Sequence, residues 1–309
     1  MGIASRPSYK VIPQQASTEV TVLNFLCEAF GAIPRSVWMQ RMADEHVFWE
    51  DRTLITPSSM CRTQQKVFYY REVPDEIHIP FEEEIVFEDD HILVVCKPHY
   101  LPVVPSGPYV ESCLLNRLIK RTGNIDLTPA HRIDRDTAGL VLFSKVPAER
   151  GLYHGLFASG GIQKTYRAVA LLDRCLRAEE LASGWLIENR IISSIPRFRQ
   201  QAIDAEGDAI NARSKVVCLD QQQGLGLFEL NPLTGKTHQL RVHMAGLGFP
   251  LLNDPYYPVL QPEQAKDDFS KPLQLLAKEM TFTDPVTQKT YTFMSERPLL
   301  WPLVQISGT

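Results

Sequence analysis

The residues most suited to chemistry in this chain are a carboxylate set between two guanidinium groups. In the stretch TPAHRIDRDTAGLVLFSK, residues 128–145, Asp134 stands between Arg132 and Arg135. A second acid, Asp136, follows, then the small Thr137, Ala138 and Gly139, then an apolar run. A carboxylate that works as nucleophile or base near neutral pH has to stay ionised. Burial alone raises its pKa, and a hydrogen-bonded guanidinium brings it back down. Arg241, in THQLR, is a candidate for that guanidinium, and Tyr166, in KTYRAVA, supplies a flat ring. A base stacked on such a ring gains about 1–3 kcal/mol. Asp134, Tyr166 and Arg241 therefore suit chemistry on a planar substrate. From composition and spacing alone, an Arg–Asp pair that merely ties two loops together is an equal reading.

Other motifs fall away on inspection. TGKT at 234–237 suggests a phosphate-binding loop, but the glycine required five residues before Gly235 is Leu230. HRID resembles the kinase HRD with its acid one place late, and neither a GxGxxG loop nor DFG occurs. None of the six cysteines forms a CxxC pair, which argues against a zinc knuckle or dithiol site and for reduced, mostly buried thiols. No HExxH is present, and His238 and His243 are five apart, the wrong spacing for one helical face.

The elements that must position these groups are those of an ordinary globular protein. The 309 residues are 44% hydrophobic and 22% charged, enough for one large domain or two smaller ones. No apolar run is long enough to span a bilayer. The N-terminus lacks the apolar core of a secretory signal, and Arg6 replaces the Ser or Thr that myristoylation needs. A net charge of −4 excludes a bulk polycation but not a local basic groove. Residues 72–90 carry nine acids and no Lys or Arg, whereas 52–71 and 190–203 carry cations and no acid. The basic stretches could contact phosphate; charges scattered over solvated faces are an equal reading.

Apolar spacing predicts a helix over 18–30, capped at Ser17 or Thr18, and a second from Pro34 to about Asp44 with Val37, Trp38 and Met42 inward. Short strands are expected near 46–49 and 66–70. From residue 85 onward the chain reads as strands: EIVFEDDHILVVCKP as two joined by a turn, then GLVLFSK, IQKTYRAVALL and GLGLFELNPL. THQLRVHMAGLG reads as a helix ended by glycines, and KEMTFTDPVTQKTYTF as a hairpin turned at Asp284-Pro285. Strands with few helices in no βαβ order predict an α+β fold with a mostly antiparallel mixed sheet flanked by helices, plus a small N-terminal α+β domain. The expected division is an arm at 1–17, a small domain at 18–75, an acidic linker at 76–84 and a large domain at 85–309.

HRIDRDTAGLVLFSK resembles the signature segment of the RluA-type family of RNA pseudouridine synthases. Other segments resemble that family in its own order: IVFEDDHILVVCKPHYLPVVPSG, QKTYRAVA, PLTGKTHQLRVHMAGLGFPLLNDPYY and PLQLLAKEMTFTDPVT, together covering roughly 85–290. Two departures stand out. His99-Tyr100 occupies the place of a small residue and a glycine, and Lys236 replaces a more usual arginine. The N-terminal 75 residues faintly resemble the small RNA-binding module shared with a ribosomal small-subunit protein. The two-helix order and Arg35-Ser36 fit; the glycine expected before the following strand is absent, with His46 nearby.

The resemblance implies a pseudouridine-synthase-like catalytic domain that isomerises uridine in RNA, breaking N1–C1′ and forming C5–C1′, with no cofactor or metal. Asp134 then matches the essential aspartate, attacking a ribose carbon or abstracting a ribose proton. Tyr166 matches the ring against the target base, and Arg241 the basic partner of the aspartate. Leu252 matches a residue lining the base pocket. A uridine shielded by stacking has to be extruded, and Arg132 is the candidate to fill its space. Arg135, Lys164, Lys236 and His238 are candidates for phosphate or sugar contacts. The expected partner is RNA, ribosomal first and transfer second, with no DNA and no membrane, for a cytoplasmic monomer. The rival reading is a non-catalytic RNA-binding or ribosome-assembly factor that keeps the fold; a third is an enzyme acting on free nucleotides.

Overall fold

The strands Ile92–Lys97 and Ala138–Ser144 are buried at every position, so both of their faces are covered and they lie inside a sheet rather than at its edge. A computed structural model of the chain describes residues 2–3, 6–15, 19–73, 76–262 and 268–301. The chain folds into two compact units, Met1–His78 with Val104–Asn116, and Ile79–Val103 with Arg117–Thr309.

The larger unit holds one 11-stranded sheet. Its order is Gln200–Ile203, Trp185–Ser193, Ala212–Gln222, Leu225–Pro232, Ile162–Leu171, Leu275–Thr283, Ala138–Ser144, Ile92–Lys97 and Glu84–Glu88. Thr290–Met294 pairs with Leu275–Thr283, and Thr128–Pro129 with Ala138–Ser144. Among the described strands of this sheet only Leu275–Thr283 and Ala138–Ser144 run parallel. The fold is thus α+β with a mostly antiparallel sheet, and the expected hairpin turn at Asp284-Pro285 is present. The helices Arg150–Ser159 and Gln239–Gly246 lie in this unit. The three strands Trp185–Ser193, Gln200–Ile203 and Ala212–Gln222 lie outside the sequence expectations. Their exposed positions mix charged residues with Leu186, Ile203 and Leu219, so no clean alternation of apolar and polar residues marks them.

The smaller unit packs the helices Val22–Ala29 and Arg35–Ala43 on a three-stranded sheet of Ser8–Val11, Lys66–Tyr69 and Val47–Trp49. Its core holds Val22, Leu23, Leu26, Trp38, Met42, Val47, Trp49 and Val67. Val37, expected inward, is only half-buried, and Arg41 is buried in its stead. The first helix is capped by Thr21, whose hydroxyl accepts from the Asn24 amide; the expected caps Ser17 and Thr18 lie outside the described residues. Glu45 takes φ 62°, the left-handed conformation, just before the strand where a glycine was expected. Segment 104–116, read from sequence as part of the large domain, packs with the small unit. There Glu76 accepts the backbone amides of Val110, Glu111 and Ser112. In the larger unit, Arg117 donates to the carbonyls of Ile79 and Phe81. Within the acidic stretch read as a linker, Glu76 is thus bonded within the smaller unit, and Ile79 and Phe81 within the larger.

One glycine fixes where the Asp134 loop joins the sheet. Gly139 has φ 114° and sits where the parallel strand Leu275–Thr283 meets its neighbour. A Cβ there would lie 2.6 Å from the Ala277 amide nitrogen and closer still to its carbonyl oxygen. Gly139→Ala is expected to cost about 3 kcal/mol or more in urea unfolding, from backbone strain and overpacking together. Gly151→Ala, in a helix with nothing within 4 Å, is expected to stabilise slightly.

Candidate active site

Asp134 is held on a loop whose backbone is gripped from the neighbouring strand end. Lys97 closes the strand Ile92–Lys97 and is fully buried. Its Nζ donates to the carbonyls of Pro98 at 2.9 Å and Arg135 at 3.0 Å. Burial pulls the Lys97 pKa down to about 7, while Asp136 and Asp134 work against that fall. His99 Nδ1 donates to the Asp136 carbonyl at 2.7 Å, and burial pulls its pKa down to about 4. Asp136 in turn accepts Arg135 at 3.0 Å. The loop is thus fixed through the carbonyls on the C-terminal side of Asp134, leaving the Asp134 carboxylate 26% exposed.

Tyr100, where the resemblance expects glycine, has φ 65°. The strained backbone is held by its ring, packed on Phe81 and Phe269, and by its hydroxyl, which donates to the Asp268 carbonyl at 2.8 Å.

Arg241 comes from the buried helix Gln239–Gly246 and is 1% exposed. Its Nη1 lies 3.4 Å from Asp134 Oδ2. Its main partner is a residue the sequence reading did not single out. Asp254 accepts Nε at 2.8 Å and Nη2 at 2.7 Å, a two-pronged pair. Burial works against the Arg241 charge, but Asp254's hydrogen bonds and charge, with those of Asp134 and Asp136, outweigh it and raise its pKa. Asp254 is itself fixed by the amides of Tyr256 and Tyr257, and the guanidinium lies 4.8 Å from the Tyr256 ring centre. The stretch leading to Asp254 is tied to the tyrosine strand: Leu171 donates to the Pro250 carbonyl and Leu252 to that of Val169.

A β-bulge against Leu275–Thr283 falls between Thr165 and Tyr166, the kind of irregularity that re-aims a side chain. Tyr166 is half-buried against the core below it. Burial first, and the Asp134 charge second, raise its phenol pKa, so it stays protonated at neutral pH. His238 is a further neighbour of Asp134, its Nε2 4.0 Å from Asp134 Oδ2 and its Nδ1 3.0 Å from the Tyr257 hydroxyl. Burial lowers its pKa despite Asp134, so it is neutral at pH 7.

The remaining candidates separate. Leu252 is half-buried beside the tyrosine strand, and Arg135 is committed to Asp136. Arg132 is exposed. Lys164 and Lys236 line a groove of about 650 Å³ together with Lys215, Asn211, Asn231 and Thr234. No carboxylate lines it. Burial lowers the Lys164 pKa. Lys215 was missed because its strand was. The loop TGKTH is wound on the buried Gln239, whose Oε1 accepts Thr234 Oγ1 and the Lys236 amide. Its Nε2 donates to the Arg213 carbonyl and to Ser214.

Two outcomes test this geometry. Asp254→Ala leaves a buried guanidinium with most of its pairing gone, and is expected to cost about 3–5 kcal/mol in chemical unfolding. His99 is depressed from an ordinary 6.5 to about 4. The stability it contributes is present above pH 6.5 and is lost as pH falls toward 4, because the unfolded chain binds the proton first. His99→Gln is therefore expected to flatten the loss of stability between those pH values by roughly 1–3 kcal/mol.

The comparisons with known proteins bear on the family to which the chain belongs. A family model described as RNA pseudouridylate synthase matches residues 91–246. The ribosomal large subunit pseudouridine synthase D of Zymomonas mobilis is 32% identical over 73% of this chain and 74% of its own. The dual-specificity RNA pseudouridine synthase RluA of Pasteurella multocida is 33% identical over 68% of this chain and 91% of its own. The solved structure of human RNA pseudouridylate synthase domain containing 1 superposes with a TM-score of 0.56 at 20% identity, over 72% of this chain and 87% of its own. That match shows the shared fold. The family model covering half the chain, with relatives above 30% identity across two thirds of it or more, makes this chain a member of the RluA-type family of RNA pseudouridine synthases.

Proposed function

We propose that this RNA pseudouridine synthase acts on specific uridines of structured ribosomal RNA, with transfer RNA as the second substrate class, and that Asp134 carries the reaction. The observation that carries the proposal is the placement of a quarter-exposed carboxylate 3.4 Å from a buried guanidinium. In the reaction the N1–C1′ bond breaks, C5–C1′ forms, the C5 proton leaves and N1 gains one. Asp134 acts at the ribose, as nucleophile on carbon or as base on a ribose proton. Arg241 stabilises its negative form and fixes its direction. Tyr166, kept protonated, offers a ring face to the base rather than a ready base for C5. Leu252 lines the pocket beside it.

An extruded nucleotide leaves a gap in its helix, and Arg132 fills it; its exposure supports that role. Lys164, Lys215 and Lys236, in a groove lined by no acid, hold the flanking phosphates. Arg135 serves the loop more than the RNA, being paired with Asp136, and His238 contacts sugar as a neutral donor. The ribosomal preference is supported by the relative named for the large ribosomal subunit, and the transfer RNA alternative by the relative named as dual-specificity. The proposal includes a cytoplasmic monomer that acts on RNA rather than DNA or a membrane; its free cysteines suit a reducing compartment. The small N-terminal unit is a second RNA-binding module.

Tritium release from RNA labelled at uracil C5 tests the central role. Asp134→Asn is expected to abolish release while leaving folding and RNA affinity within about twofold of wild type, since the amide keeps the shape and loses only the charge. Release at the wild-type rate by this variant contradicts the assignment.

A further inference from the structure

The sheet of the small unit has two unlike faces. One is the core, where Val47, Trp49, Val67 and Tyr69 meet the two helices. On the other, cross-strand pairing puts Tyr9, Phe68 and Phe48 in a single row, because Tyr9 faces Phe68 and Phe68 faces Phe48. The ring centres are 5.6 and 5.9 Å apart. Tyr9 is 56% exposed and Phe68 half-buried. Phe48 is covered by the Arg52 guanidinium, 4.7 Å from its ring centre. The row therefore presents three flat groups: a phenol ring, a phenyl ring and a guanidinium plane. Lys66 Nζ lies 5.3 Å from the Tyr9 ring centre at one end. Lys66 also pairs with Glu50, a carboxylate 66% exposed and free to yield to another anion. Arg52 has no carboxylate partner among the described residues.

We infer that this face binds single-stranded RNA, stacking successive bases on Tyr9, Phe68 and the Arg52–Phe48 pair while Lys66 and Arg52 meet the phosphates. A flat ring and a guanidinium plane are the two side-chain surfaces on which unpaired bases stack, and a cation at the edge serves the backbone. A double helix hides its base faces and gains nothing from such a row. The acid-free stretch 52–71 is in part this face: Lys66, Phe68 and Arg52 come from it. The inference rests on the reading that this enzyme's substrate is RNA, yet it needs no turnover and no uridine.

The test uses the full chain and a labelled oligoadenylate of about 12 nucleotides, followed by fluorescence anisotropy. Substitutions on this face are expected to weaken binding of the strand and to leave binding of a blunt RNA duplex of the same length within about twofold. Tyr9→Ala is expected to raise Kd roughly tenfold, with Tyr9→Phe within about twofold of wild type. Arg52→Ala weakens binding similarly, and Arg52→Lys fails to restore it, because lysine keeps the charge and loses the plane. Asp134→Asn binds the oligoadenylate as wild type does, so failure of the catalytic assignment and failure of this one are separable. The inference is overturned if Tyr9→Ala and Arg52→Ala both bind the oligoadenylate as wild type does.

Discussion

A guanidinium with almost no access to water has to be neutralised where it stands. Arg241 meets that demand with a two-pronged contact to Asp254, and the remaining nitrogen is left pointing at Asp134. Desolvating a cation costs several kcal/mol, which only good geometry with a fixed counter-charge offsets. Asp254 supplies that geometry, so Arg241 does not need Asp134 to stay buried. Asp134 can then remain partly exposed and open to a substrate while sensing a positive charge whose position does not vary. One carboxylate is spent on structure and the other is free for chemistry.

The rest of the larger unit keeps these groups in register. Asp134 arrives on a loop gripped at its carbonyls by Lys97 and His99. Gly139 lets that loop enter the sheet against Ala277 without a clash. Tyr166 stands on the long strand Ile162–Leu171, and the stretch that carries Asp254 is bonded to the end of the same strand. Arg241 comes from a helix whose preceding loop is wound on one buried amide, that of Gln239. Sites built on strands and buried helix starts hold their geometry better than sites on free loops.

Much of this was legible in the sequence. Residue types alone left Asp134, Tyr166 and Arg241 level with a loop-tying pair, and it was the family resemblance of their segments that singled them out. The apolar runs HILVVCKP and GLVLFSK read as strands, and the fold adds that both lie inside the sheet with both faces covered. What stayed hidden depends on contacts between segments. Asp254 looks like a turn acid in LLNDPYY, and only the fold shows that it faces Arg241. Lys97 looks like an ordinary charge at the end of a strand, and only its burial reveals the clamp. Lys215 lies on a strand whose apolar residues bunch at 216–219 and include the exposed Leu219, so no clean alternation announces it. The row Tyr9, Phe68 and Phe48 is spread over three strands, so no window of sequence contains it.

The account turns on Asp254 acting on turnover through Arg241 and by no other route. A double-mutant cycle of Asp254→Asn and Arg241→Lys, read as the single-turnover rate on an RNA that the wild type modifies, measures this directly. The double variant is predicted to be no slower than Arg241→Lys alone, because the route from Asp254 is already broken. Penalties that simply add would show that Asp254 and Arg241 serve the reaction independently, and would contradict the account.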